Sequence, residues 1–107
     1  MQMDNNLENK LNELKKAYIQ KLGDVLPIFE KVLADLPKIN LDELYSQIHK
    51  ISGTSGMYGF KELSQFSSEF EFKLKEMKKN DNINVELINE KLSKYKFIIE
   101  NLLKEGK

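Results

Sequence analysis

The chain has 107 residues, enough for one domain and too few for two. Seventeen basic residues balance seventeen acidic ones, so no net field draws in nucleic acid, and basic runs go no further than pairs such as Lys78-Lys79. There is no cysteine, which excludes disulfides and thiolate-bound metal, and no apolar run approaches the roughly 20 residues of a bilayer span.

The start, Met1-Gln2-Met3-Asp4-Asn5-Asn6, lacks the basic opening and apolar run of a signal peptide, so a cytoplasmic domain is expected. Apolar residues then fall at Leu7, Leu11, Leu14, Tyr18, Leu22, Val25, Phe29, Val32 and Leu36. Their alternating spacing follows the α-helical repeat of about 3.6 residues and keeps its phase through Gly23 and Pro27. This predicts one long helix over about 5–36, kinked near Gly23 because Pro27 removes a backbone donor; two coaxial helices are the alternative. Pro37 ends the run, since the residue before a proline is pushed out of the α region.

Asn40 followed by Glu43 reads as a helix start, and a second helix over about 41–58 buries Leu41, Leu44, Ile48, Ile51, Ser55 and Tyr58. Gly59 can end it in a left-handed conformation. A third helix, about 60–79, carries Leu63, Phe66, Phe70, Leu74 and Met77 on one face, and Asn80-Asp81-Asn82 turns the chain. The fourth, about 84–104, presents Ile88, Leu92, Tyr95, Ile99 and Leu102, with Gly106 beyond its end. The expected fold is all-α, an antiparallel up-down-up-down four-helix bundle formed by residues 1–107 as one domain. Phe72 and Phe97 project away from their own helices' stripes.

The single histidine, His49, sits roughly 130° from the centre of the second helix's stripe, at 100° per residue, and so should face solvent. Tyr45, Ser52, Gly53 and Gly56 share its face, and three of those four are very small. A glycine inside a helix costs about 1 kcal/mol against alanine, so a patch cleared at that cost suggests a second body approaching the imidazole. Imidazole, with an unperturbed pKa of about 6.5, offers a neutral nucleophilic nitrogen at neutral pH. A nucleophile with no phosphate-binding loop and no second histidine for a metal site can do only part of a phosphoryl transfer, and a partner must do the rest.

The run Ile48-His49-Lys50-Ile51-Ser52-Gly53-Thr54-Ser55-Gly56-Met57-Tyr58-Gly59-Phe60, continued by Leu63, Phe66, Phe70 and Glu71, resembles the signature of histidine-containing phosphotransfer domains. His49, Ile51, Gly53, Gly59, Leu63 and Phe70-Glu71 fall in register with it. The resemblance implies phosphorylation of His49 on Nε2. It also implies docking of a response-regulator receiver, whose aspartate and Mg²⁺ complete the transfer site, against the second and third helices. Where the family usually has lysine, three residues past the histidine, this chain has Ser52; Lys50 and Lys73 are the candidate substitutes beside the phosphoryl group.

The expectation is therefore a monomeric phosphorelay intermediate, not an autonomous enzyme, with no metal or cofactor of its own. Its phosphoacceptor is His49, its phosphate neighbours Ser52, Lys50 and Lys73, and its docking residues Tyr45, Gly53 and Gly56. The receiver and a sensor or hybrid histidine kinase are the expected partners. A bundle that binds a receiver, or dimerises, through the same face without phosphorylation is the alternative.

Overall fold

Pro27 has no amide proton to give the carbonyl of Gly23, and its ring crowds that carbonyl, so the first helical run cannot pass through unbroken. The computed structural model describes residues 2–36 and 38–105, with side chains from Leu7 onward, and shows a full break there. Helix α1 spans Gln2–Gly23 and α2 spans Leu26–Asp35, with Pro27 in the first turn of α2. Between them the amides of Asp24 and Val25 bond back to Lys21 and Leu22, a tight turn. The single kinked helix is thus corrected to two, and Gly23 has a second reason to be there. A Cβ at Gly23 would lie 3.3 Å from Leu103, so the missing side chain lets the last helix come close.

Helix α3 spans Leu41–Met57, α4 Lys61–Asn80 and α5 Val85–Glu105. Asn40 caps α3 as expected, its side-chain oxygen accepting from the amides of Asp42 and Glu43 at 3.0 and 3.2 Å. Gly59 takes φ +85°, and the amide of Phe60 bonds back to Ser55, closing α3 with a left-handed cap. Asp81, at φ +50°, ends α4 in the same way, and the Asn84 side chain caps the start of α5 by accepting from Leu87. The stop at Pro37 and the position of Gly106 lie outside the described residues.

Tertiary pairs give the directions. Asp42 meets Lys78, His49 meets Glu71 and Ser52 meets Ser68, so α3 and α4 run antiparallel. Glu30 meets Lys96 and Gly23 meets Leu103, so the first limb and α5 do too. The core lies where the stripes converge: Phe29, Ile48, Phe70, Leu74, Ile88, Leu92, Tyr95 and Ile99 are fully buried. Tyr95 sits at its centre, with Phe29, Phe66 and Phe70 packed around its ring. Its hydroxyl donates to Ser67, which leaves neither buried oxygen unpartnered. Phe72 and Phe97 are exposed, as their wheel positions required.

One part of the expected core is absent. Leu7, Leu11 and Leu14 share the stripe of Tyr18 yet are 60%, 49% and 50% exposed. Periodicity identifies which face of a helix is apolar but not whether another helix lies opposite it, and burial on α1 begins only at Tyr18.

Candidate functional site

Leu44, Ile48 and Ile51 turn one face of α3 into the core, and that fixes the opposite face outward. His49 lies on the outer face with its side chain 68% exposed. Its Nδ1 is engaged by Oε1 of Glu71 on α4, and the Tyr45 ring, one turn earlier on α3, lies nearly parallel to the imidazole at 5.9 Å and 12°. The Tyr45 hydroxyl donates to the same Glu71 oxygen at 3.3 Å, while Lys78 pairs with Asp42 and places its ammonium 4.9 Å from the Tyr45 ring centre. The imidazole is therefore held along one edge and one face. With Nδ1 taken up by a carboxylate, Nε2 is the nitrogen that carries the free lone pair toward solvent.

One turn further along α3, Ser52 and Ser68 share a hydrogen bond at 2.6 Å, and Ser64 donates to the carbonyl of Ser52 at 3.0 Å. The two glycines then part company. A Cβ built on Gly53 meets nothing within 4 Å, so the space beside the imidazole is open. A Cβ on Gly56 would come within 3.0 Å of the Ser64 hydroxyl, so Gly56 is small because α4 approaches there. Gly56, expected in a docking role, thus stands at the α3–α4 contact.

The candidate lysines are not at the site. Lys50 lines a groove with Leu14, Tyr18 and Lys21 on the α1 side of α3. Lys73 lines a cleft with Asn84 and Leu87 at the start of α5. Each lies roughly 100–200° round its helix from the residue that meets the imidazole's neighbourhood, which is why neither reaches it. Tyr45 and Ser52 are brought together with His49, whereas Lys50 and Lys73 are not. Among the described residues no group of three His, Cys, Asp or Glu side chains could hold a metal ion, and no helix is long and apolar enough to cross a membrane.

The model of the Hpt domain family matches residues 7–105, nearly the whole chain. The chain belongs to the Hpt domain family. No curated protein and no solved structure matches it. Hpt domains serve histidine phosphotransfer in phosphorelay, two-component signalling, as modules between histidine kinases and response-regulator receivers and not as autonomous catalysts.

Within this Hpt domain, Glu71 is a residue of the candidate site that sequence reasoning left without a role. It stood in the register of the motif, beside Phe70, but only the antiparallel pairing of α3 with α4 shows that it reaches Nδ1 of His49. The signal was available in one form: Phe70 is on the core stripe, and the next residue is rotated by about 100°, onto the rim where α3 runs.

Proposed function

We propose that this Hpt domain, an up-down-up-down bundle whose first limb is shared by α1 and α2, accepts a phosphoryl group on Nε2 of His49. The donor and acceptor is the aspartate of a response-regulator receiver, with a sensor or hybrid histidine kinase upstream, in the cytoplasm. The observation that carries this reading is the pairing of an exposed, carboxylate-held imidazole with open space at Gly53.

The chemistry follows from that geometry. Glu71 accepts from Nδ1–H and so keeps the lone pair on Nε2. As Nε2 bonds to phosphorus, the bond from phosphorus to the aspartyl oxygen breaks and the carboxylate leaves; the ring gains positive charge, which the Glu71 carboxylate stabilises. In the reverse direction the aspartate attacks and the imidazole leaves with its Nδ1 proton still in place. Ser52 stands in the usual lysine position, and its hydroxyl shares a hydrogen bond with Ser68. Charge there comes from the receiver and its Mg²⁺.

The test is incubation of the chain with a phosphorylated receiver. The expected product carries an acid-labile, base-stable phosphoryl group, and His49→Gln carries none while keeping its fold, since exposed positions rarely shift stability by more than about 0.5 kcal/mol. A wild-type chain that binds the receiver without gaining phosphate would establish the non-phosphorylated adaptor instead.

A further inference from the structure

The exposed leucines of α1 have a specific setting. Helix α3 ends at Met57, level with Tyr18, whose ring stacks on Tyr58, and α5 ends just beyond Leu103, level with Gly23. Residues 2–13 of α1, about 18 Å of helix at 1.5 Å per residue, therefore extend past the bundle with no helix alongside among the described residues. The long axis of the molecule, 55 Å, reflects this overhang: α5 with 21 residues is only about 31 Å long. A single helix of a dozen residues is marginal in water, and its apolar stripe is uncovered.

The stripe has the spacing of a paired helix. Leu7, Leu11, Leu14 and Tyr18 are separated by four, three and four residues, the alternation of the two apolar positions in a heptad repeat. Glu8 and Lys15 flank it on one side, Lys10 and Ala17 on the other, and all four are exposed. The stripe also leads directly into a groove of about 400 Å³ between α1 and α3, lined by Leu14, Tyr18, Leu22, Ile51, Thr54 and Tyr58.

We propose that two copies of this chain pair antiparallel through the α1 overhang. Leu11 of each copy packs beside Leu14 of the other, and Leu7 of each reaches the mouth of the other's groove beside Tyr18. Charge selects both the occupant and its direction. Antiparallel pairing sets Glu8 of each copy beside Lys15 of the other, twice over, and leaves Lys10 beside the neutral Ala17. Parallel pairing would instead set Lys10 against Lys15 in both halves, two like-charge contacts. The stripe thus complements itself in one orientation only. The proposed dimer differs from the monomer expected from the sequence. It leaves His49 free, since the side chains that hold the imidazole all belong to α3 and α4.

Sedimentation equilibrium of the full chain over a range of concentrations is the experiment. It should fit a monomer–dimer equilibrium that Leu11→Asp abolishes while phosphoryl acceptance at His49 is retained. Lys15→Glu should raise the dimer dissociation constant about tenfold, by exchanging two attractions for two repulsions, and adding Glu8→Lys should restore it. A chain that is monomeric at every concentration overturns the proposal, including one whose stripe is covered only when a receiver is added. A dimer that survives Leu11→Asp overturns it as well. A dimer that Lys15→Glu strengthens is parallel, and overturns the antiparallel assignment.

Discussion

Glu71 holds Nδ1 of His49 across the α3–α4 contact, twenty-two residues away in sequence, and the same carboxylate oxygen accepts from Tyr45. One acidic side chain therefore sets the tautomer of the imidazole and the position of the aromatic ring stacked on it. Removing the carboxylate should have more effect on reactivity than on stability. Glu71→Ala is expected to slow phosphoryl transfer to His49 by about tenfold to a hundredfold, the worth of a hydrogen bond to a charged group. The ¹⁵N shifts of the neutral imidazole should show the Nε2–H tautomer gaining population, and Glu71→Gln, which can still accept the proton, should be intermediate in rate. An unchanged rate in Glu71→Ala would show that the contact has no part in the chemistry.

The two glycines on α3 should respond differently to the same added methyl. Gly53→Ala meets open space and should raise stability by about 0.5–1 kcal/mol through helix propensity alone. Gly56→Ala has the same propensity gain but displaces the Ser64 hydroxyl from its bond to Ser52, so it should fall short of Gly53→Ala by about 1 kcal/mol. Thermal unfolding of the two variants measures the difference. Gly53→Gln should then keep the fold and impair transfer with the receiver, because it fills the space beside the imidazole; equal transfer rates would remove Gly53 from the docking surface.

Ser52→Lys tests the loss of the lysine position beside His49. The substitution gives up the Ser68 hydrogen bond on a half-buried rim, from which a lysine can extend its ammonium into solvent beside His49. Phospho-His49 should then decay more slowly, or the equilibrium with the receiver should move toward this chain. Lys50→Ala and Lys73→Ala should change neither quantity, because those side chains face α1 and the start of α5. Faster decay in either alanine variant would contradict that placement.

Burial raises the pKa of the Tyr95 hydroxyl, and that of Tyr18 moves in the same direction for the same reason. The folded chain thus keeps these protons at a pH where the unfolded chain has lost them. Their contribution to stability is full below the unfolded tyrosine value of about 10 and falls as the pH rises above it. Tyr95→Phe should cost about 1–2 kcal/mol at neutral pH, since Ser67 loses its partner in the core. It should also make the alkaline loss less steep, leaving the part due to Tyr18. Urea unfolding between pH 8 and 11, about the range in which phenols titrate, would show both effects; parallel curves for the two proteins would refute the assignment to Tyr95.

The bundle was readable because its core residues recur at helical spacing, and Leu63, Phe66, Phe70, Leu74 and Met77 are all buried where the period put them. His49 was readable by exclusion: it lies off the stripe, beside residues too small to serve propensity. What could not be read are the features that depend on a neighbour. The break at Pro27 is visible in sequence as a missing donor, but its extent depends on whether the chain refolds tightly enough to realign the next helix. Gly53 and Gly56 are the same residue on similar faces, and only the path of α4 separates open space from close contact. The exposed leucines of α1 have the same period as the buried ones. Lys73 was a candidate by its charge and its place on the next helix, while its direction is set by Glu71 occupying the face toward α3.

The three-residue connection at Tyr58-Gly59-Phe60 has a kinetic consequence. Across this one turn Glu71 joins His49 and Tyr45, and Ser68 joins Ser52, so each of these contacts closes a loop of fewer than 30 residues. The contacts of α1 and α2 with α5, such as Gly23 with Leu103 and Glu30 with Lys96, span more than 60. Loop closure costs more entropy as the span grows, and local pairings form first. The geometry around His49 should accordingly be among the earliest structure to appear on folding and the last to be lost. Native-state hydrogen exchange would record this as amides of α3 and α4 outlasting those of α1, and a bundle loosened at its first limb would still present a correctly oriented imidazole.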